Sequence, residues 1–250
     1  MIRSLLAALA LAAAPALAAE PTPTEVVVRV ISQDAKWVGD LTGGAAIRLV
    51  DVATGALLAE GKVTGRTGDT PAIMAAQGRA PIRSTPGSAA FTTALAITAP
   101  TLVRVEVTGP LGYPATMQRA TSERWLIPGT SMAGTDGWVV ELPGLAITPD
   151  GAPPVWRRGQ AQPLTVWVQL MCGCPITPGG MWAAEDYAVT ATIKYPGAPA
   201  LTLPLPFKTA PGRFGADWTP AFSGKAKVTV TAFNRKTGNA GVLRKMVEVK

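Results

Sequence analysis

Hydrophobic and polar positions alternate along this chain in short bursts, and almost every apolar run has the period of a strand. In the first half, runs rich in Val, Ile, Leu and Thr fall at Val26–Ile31, Ala46–Val52, Leu57–Val63, Ala89–Ile97, Leu102–Thr108 and Trp138–Leu142, each bounded by turn residues. Ala53-Thr54-Gly55-Ala56 reads as a hairpin turn, with Gly55 suited to a positive φ. In the second half, Leu164, Val166, Val168, Leu170 and Cys172 alternate with Thr165, Trp167, Gln169 and Met171. Period-two geometry then predicts Cys172 on the inner face and Met171 on the outer one. Tyr187–Tyr195, Leu201–Leu205, Lys225–Phe233 and Val242–Val249 complete the strand set, with Thr237-Gly238-Asn239 in the loop between the last two.

No window sustains a 3.6-residue apolar period, and Ala72–Gln77 is the best, short, helix candidate. Residues 66–88 form a long Gly/Pro-rich loop carrying Arg66, Arg79 and Arg83; loops of that length are functional or floppy. Residues 109–135 look irregular as well, because Pro110, Pro114 and Pro128 forbid central-strand pairing.

Six or seven short strands in roughly 100 residues is the size of an immunoglobulin-like or fibronectin-type sandwich. The expected fold class is therefore all-β: two immunoglobulin/fibronectin-like β-sandwich domains in tandem after a cleaved signal peptide. The N-terminal domain is placed at residues 19–148 and the C-terminal one at 155–250. Pro149-Asp150-Gly151-Ala152-Pro153-Pro154 serves as a stiff linker over 149–154. The inter-sheet cystine of antibody domains is absent, since the late strand Val228–Ala232 has no cysteine.

Residues 1–18 read as a signal peptide. Arg3 supplies the positive end, Leu5 to Ala14 the apolar stretch, and Ala16-Leu17-Ala18 the small-x-small cleavage site. The mature chain contains no run long enough to span a bilayer. The expected location is the bacterial periplasm, an oxidising compartment in which a cysteine pair would be bridged. The formal charge is +7, but the basic residues are scattered. The tightest groups are Arg157-Arg158 and Arg235-Lys236. No basic stripe interleaved with aromatics points to nucleic acid.

There is no histidine, which removes Ser-His-Asp and Cys-His catalysis and every imidazole-based metal site. Gly129-Thr130-Ser131-Met132-Ala133-Gly134 is one residue too long for a nucleophile elbow and reads as a turn. Paired carboxylates among Asp34, Asp40, Asp51 and Asp69 would serve a hydrolase only if they converged. No catalytic residue is assigned, and the chain is not expected to be an enzyme.

The one segment that concentrates reactive groups is Met171-Cys172-Gly173-Cys174-Pro175, continuing to Met181-Trp182. A bridge between Cys172 and Cys174 closes a three-residue loop, worth about 1.6 kcal/mol of chain entropy. A cystine spanning roughly 60 residues would give about 4.3 kcal/mol. So small a ring is a poor staple, and three readings compete. The pair is a local disulfide, or a Cu(I) site with Met181 or Met171 adding a thioether to Cys172 and Cys174, or a redox dithiol. The first expects no cofactor and leaves a rigid contact surface beside Trp182, with Trp156, Arg157 and Arg158 as further binding-surface candidates. The functional expectation is a non-catalytic binding or scaffold protein serving another envelope protein. The alternative is a periplasmic Cu(I)-handling or thiol-redox protein.

Mass spectrometry of the mature protein is expected to find Ala19 as its first residue. A retained Met1 would overturn both the export reading and the oxidising compartment.

Overall fold

The sequence Val26-Val27-Val28-Arg29-Val30-Ile31 hardly alternates, a pattern that suits a strand covered on both faces. It forms the middle of β1 (Thr24–Ser32), and its valines are buried. The computed structural model describes residues 22–79, 81–151 and 155–250. The signal peptide proposed for residues 1–18 lies outside the described residues, as does the 152–154 portion of the proposed linker.

β1 is followed by β2 (Ala46–Asp51), β3 (Leu57–Lys62), β4 (Phe91–Leu95), β5 (Thr101–Gly109), β6 (Gln118–Leu126), β7 (Ser131–Met132) and β8 (Trp138–Leu142). One sheet pairs β1 with β4 on one side and with β7 and then β8 on the other. β4 is antiparallel to it, and β7 and β8 are parallel. The second sheet runs β3-β2-β5-β6, antiparallel throughout. Trp37, Trp138, Ile47, Leu49, Val105 and Leu126 fill the space between them.

The second sandwich contains β9 (Leu145–Asp150), β10 (Gln162–Leu170), β11 (Tyr187–Lys194), β12 (Leu201–Pro204), β13 (Phe207–Thr209), β14 (Arg213–Trp218), β15 (Gly224–Asn234) and β16 (Ala240–Val249). Its sheets run β13-β14-β10-β9 and β12-β11-β15-β16. Lettered from its first strand, that is D-E-B-A facing C′-C-F-G, the immunoglobulin arrangement. The first sandwich matches C′-C-F-G in its β3-β2-β5-β6 sheet, but its other sheet has no D strand among the described residues, and its last strand, β8, parallel to β1, occupies the A position. The fold class is therefore all-β, with two immunoglobulin/fibronectin-like sandwiches. Among the described residues no helix is long and apolar enough to cross a membrane.

Five strands go beyond the sequence expectation: β6, β7, β9, β13 and β14. The 149–154 linker needs correction at its start. Pro149 and Asp150 are the last residues of β9, paired with Val166 and Thr165 of β10. Proline is tolerated there because β9 is an edge strand of its sheet. Only Pro143 and Gly144 separate β8 from β9, so the domains meet there. The helix candidate at Ala72–Gln77 is α1, shifted to Thr70–Met74. Its N-cap is Asp69, whose carboxylate accepts from Ala72 N at 2.9 Å.

The 66–88 loop is clamped. The Asp136 carboxylate, almost fully buried, accepts from Arg83 N at 3.0 Å and from Ser84 N at 2.7 Å. The Arg83 side chain pairs with the same carboxylate at 3.4 Å, and its guanidinium lies 5.6 Å from the centre of the Trp37 ring. Arg29 holds the end of the loop by donating to the Ser88 and Ala89 carbonyls at 2.8 and 2.9 Å. Burial alone would raise the Asp136 pKa. The hydrogen bonds from Ser84 and Arg83 outweigh it, so the net shift is downward.

A carboxyl with a depressed native pKa adds stability above its unfolded pKa of about 3.9. That contribution is lost as pH falls through the lower native value. Asp136→Ala is expected to cost about 1–2 kcal/mol at neutral pH, because it strands the part-buried N–H donors of Arg83 and Ser84. In urea titrations the wild-type stability should fall on acidification below about pH 4, while the variant shows a shallower dependence. Equal acid sensitivity in both would show that Asp136 is not the clamp.

Candidate functional site

The Cys-Gly-Cys segment leaves β10 at Leu170 and enters the junction between the two sandwiches. Cys172 and Cys174 are bridged, with Cα atoms 5.5 Å apart. The chain turns here instead of staying extended: Gly173 has φ +80°, and its N–H donates to Leu170 O at 2.8 Å. Cys172 is 0 % and Cys174 3 % exposed, both inside the core of the second domain. Met171, the intervening outer-face residue, is 0 % exposed and belongs to the core of the first domain. The alternation expected from the sequence holds, but the outer face is covered by the other domain. Met171 therefore does not face solvent.

The first domain meets this loop with the turn that ends β1. Asp34 sits at φ +62°, which presents Ser32 and Ala35 to the second domain. Ser32 Oγ accepts from Met171 N at 3.1 Å, and the Asp34 carbonyl accepts from Trp182 Nε1 at 2.8 Å. Ala35 is counted in the second core and Ala146 in the first, so the two cores interlock. A side chain at Gly173 would collide with Leu41 and Thr42 of the first domain, about 3 Å away.

A second loop completes the junction. Asn239, buried between β15 and β16, accepts from Gly144 N at 2.8 Å. Thr116 Oγ1 accepts from Ile147 N at 3.3 Å. Gly144 has φ +116°, and a Cβ on it would lie 2.6 Å from the Met171 methyl. Burial, opposed by the Asn234 side chain and reinforced by the charges of Asp34 and Asp186, raises the pKa of the Tyr187 phenol.

The remaining candidate residues scatter. Met181 is 60 % exposed while Met171 is buried, so the two thioethers have opposite surroundings. Trp182 is half-buried, held by Asp34. Trp156 is not a surface residue. It is 4 % exposed and packs on Trp218 with ring centres 4.7 Å apart. Arg157 and Arg158 are exposed, with Arg158 N donating to the Lys250 carbonyl at 2.8 Å. Asp40 and Asp69 line one cleft of about 720 Å³. Both carboxylates are engaged there by backbone N–H groups, of Gly65 at 3.0 Å and Ala72 at 2.9 Å respectively. Asp51 accepts from Ala53 N in the β2–β3 turn, whereas Asp34 bonds at the junction through its backbone carbonyl and its Oδ2 is buried with no hydrogen-bond partner among the described residues. No group of three or more His, Cys, Asp or Glu gathers among the described residues.

Sequence reasoning missed Ser32, Asp34, Thr116 and Asn239 as junction residues. Asn239 carried the only signal, as an amide after a Gly turn. Its contact with Gly144 spans 95 residues, beyond the reach of local pattern.

No protein-family model matches the chain, and no curated protein matches it. Among solved structures, a tetra-tandem repeat from the extending region of a large adhesion protein aligns with 91 % of this chain at 11 % identity and a TM-score of 0.31. The chain spans about half, 49 %, of that protein's length. Fibronectin(III)-like modules of Clostridium thermocellum CbhA align with 82 % of this chain and 77 % of theirs, at 12 % identity and a TM-score of 0.28. Likeness at this level bears on no function.

Burial changes what loss of the cystine costs. Cys172→Ala/Cys174→Ala is expected to lose about 1–2 kcal/mol of chain-entropy stabilisation. The double Ser variant should lose about 1–3 kcal/mol more, because its hydroxyls enter an apolar core. Denaturant melts of the two variants measure the difference. Equal stability would mean that the loop is solvated instead of wedged.

Proposed function

We propose that this chain is an exported, non-catalytic binding scaffold that acts as an accessory to another protein of the cell envelope. The observation that carries the reading is the interlocked junction. Its only cystine and its most concentrated set of soft side chains are committed to holding two sandwiches at one angle. Fixed orientation lowers the ordering cost of binding across two modules. It also leaves sheet faces and edges free as contact surfaces. Trp125, on edge strand β6, is 64 % exposed and is one such surface.

Photo-cross-linking residues placed at Trp125 and, separately, at Met246 are expected to give discrete protein adducts in the native host. Trp182→Ala, which removes the bond to the Asp34 carbonyl together with some packing on the second core, should diminish them in protein that circular dichroism shows to be folded. Absence of adducts from both positions would overturn the accessory reading.

A further inference from the structure

The outer face of the β12-β11-β15-β16 sheet is open, and its charges are unbalanced. Alternation along β11 and β15 turns Thr190, Thr192, Lys194, Lys227, Thr229 and Thr231 outward. Register then builds rows across the strands. One reads Thr202–Thr192–Thr229–Arg244. Another, farther from the junction, reads Lys194–Lys227–Met246, and beyond it Lys225 stands opposite Glu248, so the face's outward strand charges sum to an excess of cations. Between the first of these rows and the junction, Thr190 and Thr231 share a hydroxyl hydrogen bond of 2.8 Å.

Lys194 stands directly opposite Lys227, a like-charge pairing that destabilises a sheet. Neither lysine nor Arg244 forms an ion pair among the described residues. The corresponding sheet of the first domain behaves differently. Its central outward charges pair across strands, Arg48 with Glu106 at 3.0 Å and Arg104 with Glu123 at 2.8 Å, while Lys62 and Arg119 flank them without an ion pair among the described residues. The second domain therefore carries an exposed cationic row beside a row of hydroxyls, at a cost that folding alone does not explain.

We propose that this face binds a linear anionic polysaccharide, one that displays carboxylates among hydroxyls as polyuronates do. Threonine hydroxyls both donate and accept, as sugar hydroxyls do. The lysines and Arg244 supply the charge that carboxylates need. Single-stranded nucleic acid calls for aromatic side chains on which bases stack. The face has one aromatic, Phe233, at its junction end opposite Ala188 and Ala240. An anionic bilayer calls for apolar groups that enter it beside the cations; Met246 is the one apolar side chain in the lysine row. The proposal rests on the binding-scaffold reading for the absence of catalysis, and it adds a partner that is not a protein.

The test uses the full mature chain with polygalacturonate as probe, and the fully methyl-esterified polymer as the uncharged control. Saturable binding to polygalacturonate alone is expected, weakening as salt screens the charges. Lys194→Gln/Lys227→Gln should lose about tenfold in affinity. Thr192→Val/Thr229→Val should weaken binding at unchanged charge, and Lys62→Gln/Arg119→Gln, on the first domain's sheet, should leave it unchanged. Circular dichroism verifies that each variant is folded. No saturable binding, or equal loss from the two charge-removal variants, overturns the proposal. Tighter binding to a single-stranded oligonucleotide or to phosphatidylglycerol vesicles overturns the choice of partner. Protein adducts in the host without polygalacturonate binding would remove this face and leave the accessory reading standing.

Discussion

Everything at the centre of the molecule depends on one loop serving two cores. β10 ends at Leu170, and in the turn that follows Met171 enters the first core and Cys172 the second. Burying a methionine side chain is worth about 1.5–3 kcal/mol, so the first domain gains from a residue that belongs to the second. The connection allows no slack, since β9 begins three residues after β8 ends. Gly144, left-handed beneath the Met171 methyl, is the kind of position where only glycine fits.

Strands with one wet and one dry face were legible in the sequence, as β10, β11, β15 and β16 show by their alternating burial. The strands that escaped lack that contrast. Gln118–Leu126 is polar at most of its positions, and β6 lies at a sheet edge where little is demanded of its side chains. Leu145–Asp150 ends in Pro-Asp, a turn signal that loses to pairing with β10. Arg213–Trp218 contains Gly215, which looks like a strand breaker. It is tolerated because Thr165 of the neighbouring strand fills the space its side chain would take. In each case tertiary context overrode a local preference.

The candidate site was half legible for a similar reason. Spacing and composition located the cysteine segment and assigned Cys172 to an apolar face. What covers the other face depends on a turn at Gln33–Lys36, well over a hundred residues earlier in the chain. The 66–88 loop follows the same logic. Its composition fits mobility, yet a buried carboxylate 53 residues away captures Arg83 and fixes it. Neither contact leaves a periodic trace, because each rests on single polar atoms that meet across the fold.

The junction also decides where the second domain can meet anything else. In antibody variable domains the loops after strands B and F are gathered at one end for recognition. Here the same two loops carry Cys172–Cys174 and Asn239, and both are pressed against the first domain. Recognition at that end is closed by packing. What stays open is the sheet surface, the free edges at β12 and β13, and the opposite loops around Pro196 and Phe222. A sheet surface is flat and regular, with cross-strand spacing of about 4.8 Å. It suits an extended, repetitive partner better than a compact one. The loop that joins the two cores thereby leaves a planar surface open where other sandwiches present loop tips, and the unpaired charges lie on that plane.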